Sequence, residues 1–346
     1  MNEKNKKKLN EIKQNLIEFF KDPKEVISFF LPIIITICLI WPMPYYIKIG
    51  GGTIKIDNKI NIEGSKEKEG SLEALYVKET KGIMLTYLLS YVIPSIEKEK
   101  IEDVTLDNED EEDYTFRERL YFTSSLDAAT KVAFEKAGKK VDIKESNFIV
   151  LYIDKQAKTN LSPGDIIKEV EGKEIKTYEE LSSLVANKKV NDKVNITVIR
   201  DNKKVKTTST LVEIEKEPKL GIVLTNEIKY KSNPEVDFKF NGKQAGPSGG
   251  LMISLSIYNK LIKEDITGGK KVVGTGTIDL EGNVGEIGGI RHKLMAADQK
   301  DADIVLVPEA NYKEAKKQQK ENCYKFTLIS VKTFDDAIEK LKQETK

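Results

Sequence analysis

The chain has 346 residues, a formal net charge of +1, 33% charged residues, two cysteines and one histidine. Near-neutral charge without a concentrated basic face argues against a nucleic-acid partner. Cys38 and Cys323 give no disulfide framework, and the length suits more than one domain.

The first 25 residues carry Lys4, Lys6, Lys7, Lys8, Lys13, Lys21 and Lys24. Val26 to Ile47 then contains no charged side chain, and these 22 residues would reach about 33 Å as a helix. Trp41, Tyr45 and Tyr46 fit an interfacial aromatic belt, and Pro42 and Pro44 fit a helix end. The expectation is a transmembrane anchor over 26–48. The positive-inside tendency puts residues 1–25 in the cytoplasm and the rest of the chain outside the cell membrane. A cleaved signal peptide is the alternative; the long charged lead and the lack of a small-x-small site favour an uncleaved anchor.

Gly50-Gly51-Gly52 opens a stretch, 49–70, that reads as a juxtamembrane linker. Leu72 to Tyr87 reads as two strands and Tyr87 to Ile96 as a helix. The acidic run Asp107–Asp113 lacks the alternating ligands and glycine of a calcium loop and reads as solvated. Arg117 to Gly138 reads as a helix. No metal site is expected.

Between residues 145 and 214 a strand, Phe148–Ile153, is followed by Leu161-Ser162-Pro163-Gly164-Asp165-Ile166-Ile167, a helix from Thr177 to Asn187 and a strand Val194–Arg200. Residues 215–346 hold the chemistry. Ser248 lies in Ala245-Gly246-Pro247-Ser248-Gly249-Gly250 and opens an apolar helical run from Leu251 to Tyr258. Lys293 shares a helical face with Ile290, Leu294 and Ala297.

A serine hydroxyl needs a base to become a nucleophile. A lysine serves only if desolvation lowers its pKa, and a drop of about 3 units costs roughly 4 kcal/mol. An apolar stripe supplies that desolvation. Gly246 and Gly249 let backbone approach a peptide closely. The N-terminus of the following helix offers N–H groups where an oxyanion would form. Each feature also has a plain reading: a turn with a helix cap, and a lysine that reaches out to water. His292, the only histidine, lies about 100° around the helix from Lys293. It reads as a surface or half-buried residue and as the fallback base.

The joint pattern from about Lys219 to Leu341 resembles the proteolytic domain of Lon-type proteases, and most resembles the membrane-anchored PDZ–Lon proteases of Gram-positive bacteria. The segments that carry this are GPSGGLMISLSIYNKL, EDITGGKKVVGTGTIDLEGNVGEIGGIRHKLMAAD and VKTFDDAIEKL. The resemblance implies a Ser248–Lys293 dyad, with Thr275 of Gly274-Thr275-Gly276 helping to hold the lysine. Four positions depart from the family pattern: Gly249 replaces an alanine, Ala245 an aspartate, and Arg291-His292 the usual pair before the lysine. Residues 145–214 resemble a bacterial PDZ domain, which implies binding of an extended peptide at a sheet edge. No carboxylate-binding loop is legible before Phe148. Residues 71–144 fit the opening of the protease domain, so the PDZ-like segment reads as an insertion.

The fold expected is therefore α+β: a transmembrane helix, then a Lon-type domain interrupted by a PDZ-like one. The function expected is a membrane-anchored, ATP-independent serine endopeptidase acting on exported peptides or membrane proteins. No Gly-x-x-x-x-Gly-Lys-Ser/Thr string occurs, so neither ATP nor another cofactor is expected. Homo-oligomerisation stays open. The competing readings are a catalytically silent PDZ scaffold and an esterase using Ser248 with His292.

Overall fold

The computed structural model describes residues 3–107, 109–242 and 244–345. Asn108, inside the acidic run, and the extreme ends of the first and last expected segments lie outside the described residues. The chain forms two compact units, Met1–Ile49 with Glu79–Ile101 and Gly50–Lys78 with Glu102–Lys346.

In the first unit, helix α1 (Glu3–Lys21) is followed by α2 (Pro23–Leu39). Asp22 caps α2 by accepting the Lys24 N–H at 2.8 Å, and Pro23 occupies its first position. Strand β1 (Pro42–Lys55) starts almost at once. Strand β2 (Ser71–Ile83) ends in this unit and leads into the short helix α3 (Met84–Leu89). Strand β3 (Ile96–Lys100) pairs antiparallel with β1, Tyr45 opposite Lys100 through Ile49 opposite Ile96.

This arrangement corrects the expectation of a membrane anchor. The apolar run is divided between two elements: its first part lies in α2, and Pro42 to Ile47 lies in β1. A helix of 17 residues is about 25 Å long, short of the roughly 30 Å hydrocarbon core. Among the described residues no helix is long and apolar enough to cross a membrane. The transmembrane helix, and the cell-membrane location inferred from it, are withdrawn.

In the second unit, helix α4 (Glu111–Lys136) begins inside the acidic run. Asp110 accepts the N–H groups of Glu112 and Asp113, and three acidic residues fill the positive first turn. The run read as a solvated loop thus starts a helix. Gly138, at φ +67°, ends that helix in the left-handed conformation glycine tolerates.

A long antiparallel sheet follows. It contains β4 (Val141–Ile153), β5 (Ile166–Val170), helix α5 (Tyr178–Ala186) as a crossover, then β6 (Lys193–Arg200), β7 (Lys203–Thr210) and β8 (Ile222–Ser232). Its order is β8-β4-β5-β6-β7, which leaves β8 at an edge. The Pro163-Gly164-Asp165 turn has a direct cause. Asp165, 1% exposed, takes the Arg200 guanidinium through both oxygens, at 2.7 and 2.6 Å, and the Ser162 N–H at 2.9 Å. Helix α5 carries a capping box between Thr177 and Glu180.

The rest of the unit is built around helix α6 (Gly250–Leu261), buried from Gly250 to Asn259. Strand β9 (Lys271–Gly274), helix α7 (Ile290–Gln299), strand β10 (Ile304–Pro308), helix α8 (Glu309–Glu321), strand β11 (Thr327–Val331) and helix α9 (Phe334–Glu344) complete it. β2, β9, β10 and β11 are successive parallel neighbours. A helix buried on every side must satisfy its polar groups internally. Ser256 donates to Asp57 at 2.7 Å and Asn259 to Asp265 at 3.1 Å. Ile56, Ile60 and Ile62, in the stretch read as a linker, are buried against α6 in the same core.

Candidate active site

The turn before α6 is fastened to α4. Gly246 adopts φ +78° and donates its N–H to the Glu118 carbonyl at 2.9 Å. That donor is taken, so Gly246 shapes the turn. Gly249 is the N-cap of α6 at φ −93°. A Cβ there would meet nothing closer than 3.8 Å. Gly250 has no such room: a Cβ would lie 2.8 Å from Ile278 Cγ2. Gly274 and Gly276 are equally tight, at 2.6 Å from Met252 Sδ and 2.8 Å from Val284 Cγ1. Glycine at these three positions lets α6 close onto the segment that carries Thr275.

Ser248 is half-buried at the head of α6. Its carbonyl accepts the Gly276 N–H at 2.8 Å and the Thr275 hydroxyl at 3.0 Å. Thr275 is fully buried. Lys293 is 3% exposed, and its Nζ donates to Thr275 Oγ1 at 3.0 Å. The Thr275 proton is committed to the Ser248 carbonyl, so an oxygen lone pair is left for Lys293. Lys293, Thr275 and the Ser248 backbone therefore form one connected chain, joining residues the sequence places 45 positions apart.

Lys293 is positioned by the entry to α7. Gly289 at φ +67° opens the helix, and its carbonyl accepts the Lys293 N–H at 3.1 Å. The preceding segment is clamped by Asn311 of α8. Its side chain accepts the Ile287 N–H at 3.0 Å and donates to the Ile287 carbonyl at 2.9 Å. Asn311 carries no motif of its own, and Gly250, Gly274 and Gly276, although they stand in the motifs of Ser248 and Thr275, show no sign in sequence of the close packing they permit. Ile290, Leu294 and Ala297 are buried, as their shared face implies. His292, read as surface or half-buried, is instead 1% exposed. Burial at Ile290, His292, Lys293, Leu294, Ala296 and Ala297 shows why: α7 is enclosed rather than one-sided.

Beside Pro247 lies a cleft of about 490 Å³. Tyr121, Ser125 and Asp127 of α4, Asn226 and Ile228 of β8, and Leu280 contribute to its walls. Burial pushes the Asp127 carboxyl up to about 6, against the partial help of the Tyr230 N–H, 3.3 Å away. A second groove, of about 530 Å³, runs between α5 and the first residues of β8. Among the described residues no group of three or more His, Cys, Asp or Glu side chains could hold a metal ion.

Known families can be set beside this geometry. Residues 241–343, which hold Ser248, Thr275 and Lys293, match the Lon protease (S16) C-terminal proteolytic domain. The chain carries a Lon-type serine protease domain. Residues 131–211 match a PDZ domain. The chain is similar to the Lon proteases of Campylobacter jejuni (37% identical, 27% of this chain and 12% of that protein) and Geobacter metallireducens (32% identical, 27% and 11%). It is also similar to that of Clostridioides difficile (29% identical, 42% and 20%). The chain thus spans at most a fifth of these relatives' length. Among solved structures, the PDZ domain of the SdrC-like protein of Listeria innocua is 29% identical over 22% of this chain and 92% of its own, with a TM-score of 0.22. The PDZ match ends at residue 211, before β8. One wall of the α5 groove is nonetheless built by Ile222, Val223 and Leu224 of β8. β8, which lies between the two matched segments, lines both the groove and the cleft beside Pro247.

Proposed function

We propose that the chain is a serine endopeptidase whose nucleophile is Ser248 and whose general base is Lys293. The observation that supports this is the buried Lys293 bonded through Thr275 to the Ser248 backbone. A neutral lysine keeps an N–H for Thr275 and a lone pair for the serine proton. Ser248 Oγ attacks the peptide carbonyl while Lys293 takes the hydroxyl proton. The same proton then passes to the leaving amine as the C–N bond breaks. Lys293 next takes a proton from the water that hydrolyses the ester, and Ser248 recovers its hydroxyl.

The oxyanion forms at the N-terminus of α6. Gly250 and Leu251 already donate to the Pro247 and Gly276 carbonyls. The N–H groups of Ser248 and Gly249 are therefore the donors assigned to the oxyanion. Gly249 belongs to the catalytic machinery on this reading, and Gly246 to its scaffold. The PDZ domain selects the peptide. Peptide cleavage is proposed to need no ATP, since each chemical role is filled by Ser248, Thr275, Lys293 and the α6 terminus. Short or already unfolded polypeptides are the substrate class.

Labelling with a fluorophosphonate, followed by peptide mapping, tests the reading. The native protein is expected to gain one adduct, on Ser248, that Lys293→Ala strongly suppresses. Labelling elsewhere, or on Ser248 undiminished in Lys293→Ala, would refute it.

A further inference from the structure

We infer that a single extended peptide pairs along the edge of β8 and occupies the PDZ groove and the cleft beside Pro247, the residue before Ser248, at once. This rests on the reading of Ser248 as the nucleophile. β8 has β4 on one side and is the edge strand of its sheet. An edge strand offers unpaired backbone donors and acceptors that an extended segment can complete.

The two cavities fall on consecutive stretches of this strand. Ile222, Val223 and Leu224 line the groove against α5, and Thr225, Asn226 and Ile228 line the cleft beside Pro247. From Ile222 to Ile228 the strand advances about 20 Å, at about 3.3 Å per residue. A paired peptide of about ten residues covers that length with residues to spare at the Pro247 end, next to Ser248 in the chain. The groove suits apolar side chains, through Leu181, Val185, Ile222 and Leu224. The occupant is therefore an unfolded substrate segment, apolar where it meets α5 and cleaved a fixed number of residues away. The PDZ domain acts in this arrangement as a ruler built into the protease, because the strand that receives the peptide is continuous between them.

The test uses the full chain and three kinds of substrate built on one cleaved sequence. The first is a short peptide of about five residues around the scissile bond. The second extends it by about eight residues on one side or the other. The third replaces the residues between the cleaved bond and the far end by proline, which has no N–H to pair with a strand. The extended substrate is expected to exceed the short one in kcat/KM by about tenfold or more, because its two ends bind as one ligand. The side that confers the gain gives the direction of the peptide along β8. The proline substrate loses the gain. Ala186→Trp, which fills the groove from an exposed position on α5, brings the long-to-short ratio to about one. A ratio near one in the native protein for both extensions overturns the inference and leaves the protease reading intact. So does a ratio unchanged by both the proline segment and Ala186→Trp. If the native protein cleaves no peptide, the nucleophile reading fails and this inference fails with it.

Discussion

Thr275→Val removes one hydroxyl and keeps nearly the same side-chain volume. In the native site that oxygen accepts from Lys293 Nζ at 3.0 Å and donates to the Ser248 carbonyl at 3.0 Å. The Ser248 carbonyl keeps a second donor, the Gly276 N–H at 2.8 Å, so the turn is weakened only modestly. Lys293 loses an acceptor of its amine in a site 3% exposed. A hydrogen bond involving a charged group is worth about 1.5–3 kcal/mol. If that stabilisation is lost at the transition state, kcat/KM falls about 10- to 150-fold. Thr275→Ser keeps the oxygen and is expected to recover activity to within a few-fold of native. Initial rates on one peptide, with thermal unfolding measured alongside, give both quantities. Thr275→Val within about twofold of native, or Thr275→Ser as damaged as Thr275→Val, would refute the holding role of Thr275.

Two further outcomes follow from the geometry. Gly249→Ala leaves the fold unperturbed, since the new methyl sits 3.8 Å from Ala74 Cβ and Ile253 Cδ1. Gly250→Ala drives a methyl to 2.8 Å from Ile278 Cγ2 and 3.1 Å from its backbone nitrogen. Overpacking of that kind costs about 1–3 kcal/mol and lowers Tm by several degrees; equal melting of the two variants would contradict the packing. Asp127 sets a pH dependence. Burial holds its carboxyl at about 6, above the 3.8 of an exposed group, so the folded form binds the proton more tightly. Its contribution to stability therefore falls as pH rises from about 4 to about 6. Urea midpoints across that range should show a slope that Asp127→Asn reduces; parallel curves for the two proteins would count against it.

The residues proposed for catalysis are legible in the sequence because their chemistry is local. A serine in a glycine-rich turn and a lysine on an apolar helical stripe each carry a pattern. What holds them together does not. Asn311 reaches Ile287 across 24 residues, and the tight glycines matter only because Ile278, Met252 and Val284 press on them. The N-terminal apolar run failed for another reason. Continuous hydrophobicity over Val26–Ile47 has no period, so it does not reveal that α2 ends at Leu39 and that Tyr45 to Ile49 pairs with β3. The acidic run misled through composition: Asp110 as a cap outweighs the solvation of its neighbours. No carboxylate-binding loop is legible before Phe148, and the groove beside α5 takes one wall from β8, beyond the segment with PDZ-like sequence.

The most direct test of the account is cleavage of a pool of unfolded peptides, without ATP, by the native chain, Ser248→Ala and Lys293→Ala, with products read by mass spectrometry. The account predicts new peptide ends from the native protein and none above background from either variant. Equal cleavage by all three, or activity that survives Lys293→Ala and is lost in His292→Ala, would contradict it.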